Sequence, residues 1–445
     1  MGGFFFRSVP LSSKIKSKEK PGKGKRKEVF RKEHLENGIT VVSEQLKGVR
    51  SFAVGIWVKV GSRHEAQGKN GISHFLEHMF FKGTKRRSAR DIAVTIDGIG
   101  GDLNAFTAKE NTTFYVKVLD EHIETGIDLL SDIFCHSTLS EEDIEKERGV
   151  IKEEIKMVED TPDDLVHDLF SRDVWGAEGV GQPVLGTRAT IKAMKRQDFL
   201  NHIKKFYGTK DTIVSCAGSF DHDRLLGILN EKLGGLRRGS EPAAPHAPAF
   251  GKGVFMHRKD LSEVHLCFGV QGFSQAHPLR YEYYVLNTII GAGISSRLFQ
   301  EIREKRGLVY TIYSFISSYV DTGTFGIYAG TGKKNFEEVV SLVLKDLSGL
   351  PESLEQAELD RAKEQLKGNL ILGLESTNSR MQNIAKQEIY FQKHFTPQEI
   401  IRDIDAVSLS GLKEAAEKLF TGRSPVLTVL GPVEDKPFGD VLPPL

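Results

Sequence analysis

His74-Phe75-Leu76-Glu77-His78 and, 210 positions later, Tyr284-Val285-Leu286-Asn287-Thr288 are one apolar frame carrying two different sets of polar residues. The spacing predicts a helix over Gly71 to Phe81, with Ile72, Phe75, Leu76, Met79 and Phe80 on one face and His74, Glu77 and His78 on the other. In the later segment the apolar positions survive, whereas both histidines and the glutamate are gone. A helix kept twice for packing and once for chemistry indicates a duplicated fold with a site grafted on one copy.

Moving outward, the strand-like run Phe52 to Ser62 parallels Val264 to Ser274, and Thr113-Phe114-Tyr115-Val116 parallels Thr324-Phe325-Gly326-Ile327. The helical segment Leu139 to Ile155 parallels Leu354 to Leu370, pairing Ile144 with Leu359, Ile151 with Leu366 and Ile155 with Leu370. Glu147 and Glu154 fall on Ala362 and Asn369, so they too belong to the first copy alone. The expected fold is α+β: two homologous domains, each an antiparallel sheet packed with helices, enclosing a cleft. Pro242, Pro245 and Pro248 mark a stretch without hydrophobic period between the copies. The expected division is a basic, disordered tail over 1–34, an N-terminal catalytic domain over 35–238, a linker over 239–256 and a noncatalytic homologous domain over 257–445.

Composition fits this reading. A chain of 445 residues, 39% hydrophobic and 27% charged, is too long for one core and ordinary for a soluble protein. No apolar run approaches the ~20 residues of a membrane span, so none is expected, nor is a nucleic-acid partner. Cys135, Cys216 and Cys267 are scattered, which predicts buried thiols in a reducing compartment rather than disulfides or a thiolate metal site. Net charge is +1, but residues 1–32 carry eleven Lys or Arg against Glu19 and Glu28, leaving about −8 on the rest (+1 minus +9). That tail reads as a disordered basic segment or as a targeting peptide, although its Pro, Gly and Lys content makes a poor amphipathic helix.

On the predicted helix the two imidazoles lie about 40° apart on adjacent turns, close enough to grip one ion. Zinc accepts neutral imidazole, and a catalytic zinc site leaves one position for water beside two histidines and a carboxylate. Glu77, on the same face, is placed to take that water's proton. The bland alternative is a pair of surface histidines on a solvated helix face. The third ligand should be an acid on another element. Along the helix from about Ser140 to Asp160, Glu147 and Glu154 sit beside the stripe of Ile144, Ile151, Ile155 and Val158, whereas Glu153 points about 100° away. Half-burying a carboxylate is costly unless a cation compensates it, which selects Glu154 as ligand and Glu147 as a residue that orients a ligand or holds the water.

These residues resemble the pitrilysin and insulinase family of zinc peptidases, which includes the β subunit of mitochondrial processing peptidase and short bacterial relatives. The family's inverted motif HxxEH, its distant ligand Glu and its extra Glu seven residues before that ligand are met by His74, Glu77, His78, Glu154 and Glu147. The likeness covers nearly everything after residue 35. It implies one Zn2+ per chain and zinc-dependent endopeptidase activity on extended, unstructured peptides or leader sequences. Gly100 to Thr107 resembles the family's active-site edge strand, which implies that Asn104, Ala105 and Phe106 contact substrate. Arg303 and Tyr310 resemble the pair that the family's second domain brings over the zinc, Arg303 holding substrate and Tyr310 donating to the oxyanion. Gly291-Ala292-Gly293-Ile294 is short beside the glycine-rich loop of the processing peptidase's noncatalytic α subunit. The competing reading is a noncatalytic core or assembly subunit of the same fold. A self-sufficient homodimer is expected over a heterodimer, and a bacterial-type cytoplasmic location over a mitochondrial matrix reached by a targeting tail.

Overall fold

The computed structural model describes residues 29–239, 246, 248–433 and 442–445. In the first half, β1 (Val29–His34), β2 (Thr40–Gln45), β3 (Ser51–Val58), β4 (Asp102–Thr107), β5 (Thr112–Leu119) and β6 (Thr212–Gly218) form a sheet ordered β1-β2-β6-β3-β5-β4. In the second, β7 (Gly253–Arg258), β8 (Val264–Gly272), β9 (Val309–Ser318), β10 (Gly323–Thr331) and β11 (Val426–Gly431) are ordered β7-β11-β8-β10-β9. Matching β2 with β7, β6 with β11, β3 with β8, β5 with β10 and β4 with β9 superposes the two orders strand for strand. The pairing senses agree as well: β2/β6 and β7/β11 are parallel, and the other pairs antiparallel. The repeat read from short segments is therefore a repeat of topology.

Three expectations need adjustment. Each sheet is antiparallel except for one parallel pair, because β2 and β7 pair with strands some 170 residues later, which local patterning cannot reveal. The segment expected to be tail as far as residue 34 is strand from Val29, so any tail is confined to residues 1–28, which lie outside the described residues. The linker expected as far as residue 256 is strand from Gly253, and positions 240–245 and 247 within it lie outside the described residues.

Six helices position the site and join the halves: α1 (Ile72–Phe80), α2 (Glu141–Asp160), α3 (Pro162–Trp175), α4 (Arg280–Ile290), α5 (Gln356–Gly373) and α6 (Thr377–Phe391). α1 and α2 pack together on one face of the first sheet, and α4 and α5 do the same on the second. The opposite faces are covered by exchange. Val166, Phe170, Val174 and Trp175 of α3 pack on Cys267, Tyr328, Val426 and Leu430 of the second sheet. Reciprocally, Met381, Ile384 and Ala385 of α6 pack on Val42, Ala53, Trp57, Ile213 and Ala217 of the first. β6, β10 and β11 are buried at every position, as strands covered on both faces must be. Gly55 makes room for the exchange, since a Cβ there would stand 2.7 Å from Met381 Sδ.

β1, which has no counterpart among the described residues of the second half, helps to hold α6. Phe30 stacks on His394 with ring centres 3.8 Å apart, Lys32 pairs with Glu388 at 2.7 Å, and on β2 Glu44 pairs with Arg380 at 2.7 Å. A second junction joins the β4–β5 turn to the β9–β10 turn. Arg63 binds Glu110 and forks onto Asp321 at 3.0 and 2.9 Å, while the Val320 N–H donates to Glu110 at 3.1 Å. Cys216 and Cys267 are buried and Cys135 half-buried, all free. Among the described residues no helix is long and apolar enough to cross a membrane.

The exchange predicts long-range coupling. Met381→Ala should destabilise the protein by about 2–5 kcal/mol in chemical denaturation and lower amide protection in β3 and β6, more than 160 residues away in sequence. A loss confined to α6 would contradict the exchange.

Candidate metal centre

α1 begins where the chain turns sharply at Gly71, whose φ is +91° and where a Cβ would lie 2.6 Å from the Leu185 carbonyl. Two backbone donors at this end are paired by Glu65, which accepts from Gly71 N at 2.7 Å and Ser73 N at 2.8 Å, and also from Asn70 Nδ2 at 2.9 Å. Burial pushes the Glu65 carboxyl up to about 7, and these hydrogen bonds pull against that rise. Phe75, Leu76, Met79 and Phe80 are buried in the first core, which turns His74, Glu77 and His78 toward α2 and β4. α2 is capped by Ser140, whose Oγ accepts from Asp143 N at 3.1 Å, and it is seated by Ile144, Ile151 and Ile155. That seating places Glu147 inside, Glu154 half-buried and Glu153 in solvent, as the wheel predicted.

The two helices bring three ligand atoms together. Glu154 Oε2 lies 3.7 Å from His74 Nε2 and 3.5 Å from His78 Nε2, and the imidazole centres are 4.7 Å apart. A tetrahedral ion bound at ~2.0–2.1 Å sets its ligands about 3.3 Å apart, so this cluster fits zinc after shifts of a few tenths of an ångström. Glu154 Oε2 and His74 Nδ1 are buried without a hydrogen-bond partner, and the former aims an unneutralised oxygen at the two rings. Burial, with His78 beside it, takes His74 down to about 3 and keeps it neutral, the form that binds metal. This is the one group of three or more His, Cys, Asp or Glu among the described residues whose donor atoms so converge.

The flanking residues are ordered by hydrogen bonds. Glu77 accepts from the Thr107 hydroxyl at 2.6 Å, tying it to β4; burial raises its pKa above the ordinary carboxylate value, against the pull of Thr107 and His78. Glu147 lies outside the group of three converging donor atoms; it meets His78 Nδ1 at 3.2 Å and Lys82 Nζ at 2.7 Å. Asn104, Ala105 and Phe106 lie on β4, which pairs with β5 alone and ends the sheet. The Ala105 N–H donates to Asn104 Oδ1 at 2.8 Å, and Phe106 packs edge-on against Trp57. Beyond Glu154, α2 borders a cavity of about 600 Å³ whose walls include Val158, Leu165, Leu169 and Leu185.

Arg303 and Tyr310 are placed beside each other, apart from this cluster. Arg303 Nε donates to the Tyr310 carbonyl at 2.9 Å and its guanidinium lies over Phe299, while Tyr310, the second residue of β9, has 79% of its surface exposed. Neither forms a hydrogen bond or ion pair with His74, Glu77, His78 or Glu154. At the corresponding place in the second half Thr288 turns its hydroxyl to the Tyr284 carbonyl at 2.9 Å, and no ligand set exists among the described residues. Two residues of the site, Lys82 and Thr107, were not singled out from the sequence. Lys82 had a usable signal, one turn after His78; Thr107 had none apart from its place at the end of the edge strand.

Two family models match the chain: "Insulinase (Peptidase family M16)" over residues 40–188 and "Peptidase M16 inactive domain" over 193–366. The chain is 42% identical over 387 residues to the uncharacterized zinc protease YmxG of Bacillus subtilis, spanning 87% of this chain and 94% of that one. It is 40% identical over 416 residues to an uncharacterized zinc protease of Streptomyces coelicolor, covering 91% and 90%. Its fold matches that of a protease from Helicobacter pylori with a TM-score of 0.85 at 24% identity, over 91% of this chain and all of the other.

If the cluster binds zinc, the metal stabilises the folded state by linkage. At free zinc about 100-fold above the dissociation constant the gain should be about 2.7 kcal/mol. Denaturation with zinc and with chelator measures it, and His78→Ala should remove the difference; equal curves for the wild type would contradict the site.

Proposed function

The chain belongs to the insulinase family of peptidases, family M16, and we propose that it is a zinc-dependent endopeptidase acting on extended, unstructured peptides or leader sequences. The observation that carries this reading is the convergence of His74, His78 and Glu154 beside an open strand edge to which Glu77 is hydrogen-bonded.

The ion would be held by Nε2 of each imidazole and a Glu154 oxygen, one ion per chain. When bound, zinc polarises the scissile carbonyl and acidifies a water. Glu77 takes the proton of the attacking water, and burial makes it a stronger base than an exposed carboxylate. A peptide adds to β4 as a further strand through main-chain hydrogen bonds along Asn104, Ala105 and Phe106. To receive it, the Ala105 N–H exchanges Asn104 Oδ1 for a substrate carbonyl. Strand addition requires an extended backbone, so folded domains are poor substrates. Arg303 and Tyr310 take their roles from the family resemblance: Arg303 steadies the chain and Tyr310 donates to the oxyanion. Because one chain carries both halves of this machinery, a self-sufficient homodimer is favoured over a heterodimer with a catalytic division of labour. The noncatalytic-subunit reading is weakened by the same completeness, since no member of the metal cluster is missing.

Glu77→Gln should lower kcat/KM on an unfolded peptide by about 10²- to 10⁴-fold while zinc content stays at one per chain. Near wild-type turnover would remove Glu77 from the chemistry, and a metal-free wild-type protein would return the chain to the subunit reading.

A further inference from the structure

His78 is braced from behind, and the brace does not end at Glu147. Glu147 is 7% exposed and uses both oxygens: Oε2 meets His78 Nδ1 at 3.2 Å and Oε1 meets Lys82 Nζ at 2.7 Å. His78 and Lys82 lie one turn apart on the same strip of chain, so α1 and its C-terminal extension clasp one carboxylate that arrives from α2. A carboxylate this enclosed needs compensation. The ammonium supplies it and keeps Oε2 an acceptor, so that Nδ1 is the donor and the lone pair of Nε2 faces Glu154, 3.5 Å away. His74, by contrast, has no hydrogen-bond partner at Nδ1. The brace therefore serves one ligand specifically.

The duplication separates the needs of the fold from those of the metal. At the offsets that align the halves, Lys82 falls on Ala292 and Glu147 on Ala362, just as His74, His78 and Glu154 fall on Tyr284, Thr288 and Asn369. The second half keeps the helix pair α4 and α5 without either brace residue. Packing of the two helices thus does not require the Lys82–Glu147 pair.

The geometry points to Lys82 as a positioning residue for the metal: acting through Glu147, it fixes the orientation and donor sense of the His78 imidazole and so raises the affinity for zinc. This rests on the zinc-peptidase reading and adds to it a residue that touches neither ion nor substrate. Indirect partners of this kind typically contribute 10- to 100-fold in metal affinity.

The test is a double-mutant cycle read by zinc binding alone, in competition with a chromophoric chelator and without peptide. Lys82→Met should weaken zinc binding about tenfold or more, and Lys82→Arg should restore it to within about threefold of wild type. Glu147→Gln should weaken it comparably, and Lys82→Met combined with Glu147→Gln should be no weaker than Glu147→Gln alone, because Lys82 acts through that carboxylate. Lys82 is 35% exposed on its side chain, so these variants are expected to fold, and the unfolding midpoint in chelator confirms it. Wild-type affinity in Lys82→Met, failure of Lys82→Arg to rescue, or full additivity in the double variant would each overturn the inference while leaving the peptidase reading standing. Absence of zinc binding in the wild type would overturn both.

Discussion

A β-sheet has two faces to keep from water, and each half of this chain provides its own helices for only one of them. The exchange of α3 and α6 meets that constraint, and the relative placement of the halves follows from it. Burying Met381 and Ile384 contributes roughly 1.5–3 kcal/mol each, whereas a part-exposed ion pair such as Lys32 with Glu388 contributes about 0–1 kcal/mol. Apolar exchange therefore dominates the attachment, and the ion pairs set its register. The added strand β1 extends the surface that α6 grips, and it has no counterpart among the described residues of the second copy.

On that frame the same local architecture appears twice and does chemistry once. In both halves an amphipathic helix packs its apolar side on the sheet and turns its other side to a second helix. In the first half the facing residues are His74, His78 and Glu154, with Glu147 and Lys82 behind them. In the second the aligned positions hold Tyr284, Thr288 and Asn369, and Ala292 and Ala362 stand in place of Lys82 and Glu147. The core positions of the motif are common property, and the polar ones are local. The Arg63, Glu110 and Asp321 junction fixes the tip of the β4–β5 hairpin against the equivalent hairpin of the other half, so the edge strand is anchored at its Thr107 end, the end that holds Glu77.

Much of this was legible in the sequence because the signals were periodic. The 3.6-residue pattern around His74 gave α1 to within a residue at each end, and the wheel over Ser140 to Asp160 ranked Glu154 and Glu147 above Glu153 for burial. Repeat matching found the duplicated order of strands and helices. What escaped was non-local. The parallel pairing of β2 with β6 joins segments some 170 residues apart, and β1 and β7 begin in stretches whose charge or turn residues masked their alternation. Glu65 closing the N-terminus of α1, and Thr107 holding Glu77, depend on side chains meeting across elements, for which sequence spacing carries no mark. Arg303 and Tyr310 came from family resemblance alone; the structure joins them to each other through a main-chain carbonyl and not to the cluster.

The proposed chemistry depends on one ion held between α1 and α2. Crystals grown with zinc and measured at energies on either side of its absorption edge test this directly. The prediction is a single anomalous peak per chain, about 2.0–2.2 Å from His74 Nε2, His78 Nε2 and a Glu154 oxygen, with the side of Glu77 left open. No peak at that position, or a peak bound elsewhere with Glu154 turned to solvent, would contradict it.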